Sequence, residues 1–259
     1  MSLVKNRELI FQIAKRNIYT KYKGSVLGIC WSFLTPLFLL TIYTFVFGYV
    51  FNTRWGDGSI TSYPVILFSG LMFHFFFTEV LASSTQLISS NGNYVKKVVF
   101  PLDVLVISNY LSQFFSFFIS FLLLIIAVAV TGDGNILSTI FAFAIIVPPF
   151  ALLTIGLSYL FSSVGVFIRD IVHVVNLSAT LLLFASPILF PVETLPGLVK
   201  AIVYINPISY VVSDFRAMTF GMGSFSFVGY VSYTFCAAVI FFLGKSIFNK
   251  LSKGFSDVV

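Results

Sequence analysis

Six stretches of this chain are each long and apolar enough to cross a lipid bilayer, and they decide most of what it can fold into. A helix rises about 1.5 Å per residue, so a hydrocarbon core of about 30 Å takes about 20 apolar residues. The stretches run over residues 29–51, 63–89, 104–130, 136–161, 171–189 and 227–248. Polar clusters such as TRWGDGS at 53–59 and TGDGN at 131–135 supply turns between them. Pro148 and Pro149 lie inside the fourth stretch and are expected to kink it. The fold class that follows is an all-α integral membrane protein, with the whole of 1–259 forming one transmembrane domain.

Only 9% of the 259 residues are charged, against about 25% in a typical soluble protein. That leaves no polar stretch for a soluble catalytic or nucleotide-binding domain. No GxxxxGKS or GxxxxGKT phosphate loop, HExxH or GxSxG motif occurs. The nine acids are dispersed, whereas a lipid-modifying membrane enzyme gathers acids or histidines at one membrane face. A secondary transporter often carries paired intramembrane charges, and only Glu79 offers one. Cys30 and Cys236 fall far apart in apolar sequence and read as small buried hydrophobes, so no metal ligand set is expected.

Loop charges orient the chain. With six spans both ends share a side. Lys5, Arg7, Lys15, Arg16, Lys21, Lys23, Lys96, Lys97, Arg169, Lys245, Lys250 and Lys253 fall on one side; Arg54, Lys200 and Arg216 fall on the other. The positive-inside rule makes the first side cytoplasmic, termini included. The net charge of +6 is therefore a topology signal and does not point to nucleic acid. The basic N-terminal region is too long, and the apolar run after it too long, for a cleavable signal.

Before the first span, residues 1–28 are neither loop-like nor spanning. At 100° per residue Leu3, Ile10, Phe11, Ile13, Ala14, Ile18 and Tyr22 share an arc, and Lys5, Glu8, Lys15, Arg16 and Lys23 lie opposite; Arg7, Leu9 and Lys21 break the pattern. This suits an interfacial helix on the membrane surface, where a basic residue gains about 1 kcal/mol beside anionic lipid. A basic tail with little structure is the alternative. After the fifth span, FPVETLPGLVKAIVYINPISYVVSDFR at 190–216 is apolar but broken by Pro191, Pro196, Gly197 and Pro207. Its pieces are too short to cross, and short re-entrant or interfacial helices on the outer face are expected.

Several motifs now resemble one family in order along nearly the whole chain. KYKGSVLGICWSFLTPL at 21–37 is similar to the entry motif of ABC-2-type exporter permeases. VKKVVFPLDVL at 95–105 is similar to their cytoplasmic loop, and SPILFP at 186–191 with NPISYVVSDFR at 206–216 to their outer-loop pattern. Within the family the chain most resembles the polysaccharide branch (O-antigen, capsule and teichoic-acid exporters), and the O-antigen type above all. The resemblance implies six transmembrane helices, an N-terminal amphipathic interface helix, and two short re-entrant helices between spans five and six. It implies a homodimer in a bacterial inner membrane, joined by two copies of a separate ATPase that binds ATP and magnesium, with no cofactor in this chain. It makes residues 92–103 a coupling helix that docks on that ATPase. The substrate implied is a lipid-linked polysaccharide; a small amphiphile, a drug or a free lipid is the alternative cargo, and an ATP-independent channel the alternative class.

The residues suit those roles. Pro101 separates one helix from the next. Lys96 and Lys97 offer charge to a soluble partner, Tyr94 and Phe100 an anchor, and Asp103 closes the segment, while Arg169 and Asp170 fill the other inner loop. Lys15, Arg16, Lys21, Tyr22 and Lys23 belong to the interface helix. Aromatic residues make up 18% of the chain, and rings stack on sugar C–H faces without gripping them. By resemblance Tyr43, Phe47, Tyr49 and Phe184 are candidate pore rings. His74 and Glu79 in the second span, and Asn109, Ser112, Gln113 and Ser116 in the third, are polar groups at membrane depth. Glu79 reads as the deepest and His74 as lying in the outer half with a backbone partner. No catalytic residue is expected.

Overall fold

The computed structural model describes residues 3–50, 62–96, 100–190 and 196–258. Arg54, Lys97, Val98, Val99 and Pro191 lie outside the described residues. Within them the chain is helical and has no strand. In order the helices are α1 (Arg7–Lys21), α2 (Trp31–Tyr43), α3 (Ser62–Thr85), α4 (Gly92–Val95), α5 (Asp103–Thr131) and α6 (Ile136–Phe167). Then come α7 (Ile171–Phe184), α8 (Gly197–Ile205), α9 (Pro207–Phe220), α10 (Phe227–Leu251) and α11 (Phe255–Val258). A 3₁₀ turn at Gly28–Cys30 leads into α2, and a π-helical stretch at Thr44–Val50 follows it.

Local chemistry sets several boundaries. α5 stops at Gly132, whose φ of +73° is the left-handed value glycine adopts without strain. α6 then starts where the Asn135 side chain accepts from Leu137 N at 2.8 Å. Asn206 caps α9 in the same way, accepting from Ile208 N at 2.9 Å, and Pro207 stands at the first helical position. The Ser226 hydroxyl opens α10 by accepting from Gly229 N at 3.2 Å.

Among the described residues five segments are long and apolar enough to cross a membrane: Gly28–Phe47, Tyr63–Thr85, Asp103–Thr131, Ile136–Phe167 and Phe227–Val258. The helix expected over 171–189 ends at Phe184, because the residue before Pro187 is steered out of helical geometry. The helix expected over 136–161 runs on to Phe167. Its serines do not break it; Ser163 Oγ donates back to Tyr159 O at 2.7 Å, so the hydroxyl is satisfied inside its own helix. α6 also continues through Pro148 and Pro149 as one helix. The helix expected over 63–89 ends at Thr85, and residues 89–91 turn in a 3₁₀ step.

α3 is the centre of the bundle. Phe73 is wholly buried and meets Phe117 of α5, Phe150 of α6 and Phe215 of α9 at centroid distances of 5.4, 5.6 and 5.2 Å. Phe76 stacks on Phe117 at 4.6 Å. Close helix approaches fix two further contacts. A Cβ added to Gly244 of α10 would stand 2.1 Å from the Gly156 carbonyl oxygen of α6, and one added to Gly165 would stand 1.8 Å from Thr85 O. Absent side chains thus let backbones touch, the usual device of helices packed in lipid.

Candidate functional site

One end of the bundle gathers most of the predicted site residues. Val95 of α4, Leu105 and Val106 of α5, Tyr159 and Val166 of α6, and Phe248 and Phe255 of the C-terminal segment form one apolar cluster, with Tyr94 and Phe100 packed on it. Ile10 and Ile13 of α1 pack on Val104 beside it, again with Phe100. The basic tail, the segment 92–103 and the chain's C-terminal helix therefore share an end.

α1 and the proposed coupling segment are joined directly. Arg16 Nη1 donates to the Tyr94 hydroxyl at 2.6 Å, with its guanidinium carbon 5.5 Å from the Tyr94 ring centre. The Tyr94 and Phe100 rings lie 4.7 Å apart. Lys96, Arg169 and Asp170 are exposed, as are Lys15 and Lys23. Pro101 comes just before α5. The helix expected over 92–103 is a single short turn, α4, followed after the undescribed residues 97–99 by Phe100 and Pro101. Asp103, which closes the segment in sequence, is held against the bundle. It opens α5 and lies beside the buried Tyr159, whose ring also receives Lys245 Nζ at 5.8 Å. Being the first residue of a helix, it places its carboxylate where the helix dipole favours a negative charge.

Lys21, the last residue of α1, reaches into the bundle. Its ammonium forms an ion pair with Glu79 of α3 and donates to Gln113 Oε1 of α5 at 3.3 Å. Lys21 and Glu79 border a cavity of about 550 Å3 between α2, α3, α5 and α7, which Tyr22, Trp31, Thr35, Ser116 and Asn176 also line. The sequence placed Glu79 deepest, and the structure corrects this. α3 ends at Thr85, so Glu79 lies within two turns of its α1-side end and meets an interfacial lysine. His74 is also corrected: it sits near the middle of α3, only 4% exposed, with no hydrogen-bond partner on Nδ1 among the described residues. Asn109 donates to Ser83 Oγ at 2.9 Å and serves the α3–α5 contact.

The candidate pore rings divide. Tyr43 and Phe47 turn inward, Phe47 meeting Tyr63 at 5.5 Å. Tyr49 and Phe184 point outward, 79% and 62% exposed. All but Phe184 are carried by α2 or the π-helical stretch after it, a backbone form often found at functional positions.

At the opposite end is a group that sequence reasoning counted only as a loop charge. Arg216 of α9 is 4% exposed. It donates to Ile66 O at 2.8 Å, Ile188 O at 3.2 Å, Ser69 Oγ at 3.4 Å and the Pro187 carbonyl. It thereby ties α9 and the 187–188 turn to α3. Gly70 leaves room for it; a Cβ there would come 2.8 Å from Nη2. A lone arginine inside an apolar short helix was the available signal.

Comparison with known proteins adds a separate line of observation. A model of the family described as ABC-2 type transporter matches residues 8–220. The chain is 28% identical over 253 residues to an O-antigen export system permease protein, RfbA, of Klebsiella pneumoniae, covering 97% of this chain and 95% of that one. It is 24% identical over 259 residues to an RfbA of Myxococcus xanthus, covering 99% and 97%. It is 27% identical over 202 residues to the polysialic acid transport protein KpsM of Escherichia coli, covering 76% and 75%.

Proposed function

The chain belongs to the ABC-2 type transporter family, and on that premise we propose that it is the membrane permease of an ATP-driven exporter of lipid-linked polysaccharide. Relatives named for O-antigen export align over nearly their full length, and that end-to-end match is the observation that carries the reading. It acts in the inner membrane of a bacterium, with α1, α4 and both termini in the cytoplasm, where the gathered basic residues belong. Six spans are proposed, α7 joining the five long ones as the fifth in chain order. At 14 residues it is about 21 Å long, and residues 185–190 or local thinning of the bilayer make up the rest. α8 and α9 are the re-entrant pair of the outer face, held by the Arg216 bonds.

The working unit is a homodimer with two copies of an ATPase, which bind ATP and magnesium. Tyr94, Lys96, Lys97, Phe100 and Pro101, with Arg169 and Asp170 alongside, dock on that ATPase. When it closes on ATP, the segment moves, and its bonds to α1 through Arg16 carry the movement to α2, α3 and α7. Tyr49 and Phe184, with the inward rings Tyr43 and Phe47 behind them, border the path that a glycan takes. Rings and hydroxyls suit a polymer that must slide, since each contact is weak and replaceable.

The test is the triple change Lys96→Asp, Lys97→Asp and Phe100→Ala in cells, with surface glycan and ATPase co-purification both measured. Loss of surface glycan together with loss or uncoupling of the ATPase supports the reading. Intact export, or no ATPase bound to the native chain, overturns it.

A further inference from the structure

The cavity beside α1 holds an arrangement that packing alone does not require. An ion pair links the end of a surface helix to α3, and both of its side chains line the cavity. We propose that Lys21 is the receiving group for the phosphate of the lipid-linked substrate, and that Glu79 occupies its ammonium until that phosphate arrives. The inference rests on the polysaccharide-permease reading and names the recognition step within it.

Exchange is physically easy here. The Lys21 and Glu79 side chains keep 34% and 39% of their surface exposed. A pair that wet is screened and holds together weakly. Lysine is a compact charge on a flexible stem, a form suited to phosphate as a point charge. It sits on the last residue of α1 and lines the cavity. When Glu79 lets go, its exposed carboxylate returns to water and Gln113 remains as a neutral partner for the ammonium.

The rest of the cavity offers what such a headgroup needs. The Thr35 and Ser116 hydroxyls and the Asn176 amide face it and make no hydrogen bond to the described chain. Trp31 supplies a flat apolar surface for a first sugar. The resident carboxylate also sets a threshold. A pyrophosphate joining lipid to glycan carries two negative charges and outcompetes a single carboxylate for the ammonium, whereas the single charge of an ordinary phosphodiester lipid does not. The pair would thus keep bulk phospholipid out of the site.

The experiment uses the full chain in phosphatidylcholine nanodiscs. Trp55→Phe leaves Trp31 as the only tryptophan of two, so its emission reports on the cavity. Farnesyl pyrophosphate is titrated against farnesol and phosphatidylglycerol. Saturable quenching by the pyrophosphate alone is expected. Lys21→Gln should weaken it by about tenfold or more, and Glu79→Gln should tighten it by a few-fold, because one removes the receiver and the other its competitor. Equal weakening by both changes would mark the pair as a structural strut and overturn the proposal. So would equal binding of farnesol or of phosphatidylglycerol. If a single variant fails to fold, the neutral pair Lys21→Gln with Glu79→Gln removes receiver and competitor together and should lose pyrophosphate binding; retained binding overturns the proposal. Surface glycan made by the native chain is measured in parallel. Export without pyrophosphate binding overturns this inference alone, whereas absence of export overturns the reading beneath it.

Discussion

α3 and α2 are both apolar enough to cross a membrane, yet they live in different surroundings. In α3, 78% of the spanning window is buried inside the chain; in α2 the figure is 6%. α3 is enclosed by α5, α6 and α9, and even its polar residues are satisfied or walled in. α2 shows Phe33, Phe38 and Ile42 to the outside, the π-helical stretch after it shows Phe45, and α7 shows Leu177, Leu181 and Phe184. Hydropathy alone did not separate them, since their mean values are 1.9 and 1.8. What separates them is neighbours: one helix is the inside of a single chain, and the other keeps a free face for lipid or a second copy.

That contrast can be broken most severely at Gly165. Replacement by leucine has to push α6 off the Thr85 backbone of α3, and a loss above about 4 kcal/mol is expected, read as failure to recover folded protein from mild detergent. Phe73→Ala empties the ring cluster at the heart of α3 and should cost about 3–5 kcal/mol in denaturant-titrated unfolding in mixed micelles. Arg216→Met leaves several buried carbonyls without a donor, with an expected loss of about 3 kcal/mol and faster protease cleavage around 187–196. Tyr94→Phe removes one exposed hydrogen bond to Arg16; about 0.5 kcal/mol or less should be lost from stability, with a larger effect on ATPase coupling. Phe38→Ala, on the open face of α2, should leave unfolding of the single chain within about 0.5 kcal/mol and change only the yield of cross-linked pairs of chains. A large unfolding effect at Phe38 would erase the distinction between the two helices.

Much of the α3–α2 contrast was hidden from the sequence, and the reasons are specific. Spans over 104–130 and 227–248 were legible because glycine or serine punctuates their ends, and α5 begins and ends within one residue of the expected bounds. The end of α6 was misread because serines that return their hydroxyls to their own helix look like a loop. Glu79 was misread because the run was carried to residue 89, which moved the carboxylate toward mid-span. Its partner Lys21 lies 58 residues earlier, and no periodicity reports a contact at that range. Tyr43 and Phe47 turn inward while Tyr49 points outward, and no periodicity reports this, because facing depends on which helix lies alongside. Arg216 was visible as an odd charge, yet it donates to main-chain carbonyls and a serine hydroxyl, to which no side-chain pattern points.

The glycine contact between α6 and α10 bears on how the chain is made as well as on how it stands. Gly156 leaves the ribosome well before Gly244, and at about 5–20 residues per second the interval is on the order of 5–20 s. Throughout that time α6 carries a bare backbone groove with nothing to fill it. The nascent protein must therefore be sheltered, or must keep α6 loosely held, until its last long helix is delivered. A pause or truncation before residue 227 would strand the chain in that state, and surveillance proteases of the membrane would meet the groove as their first exposed mark.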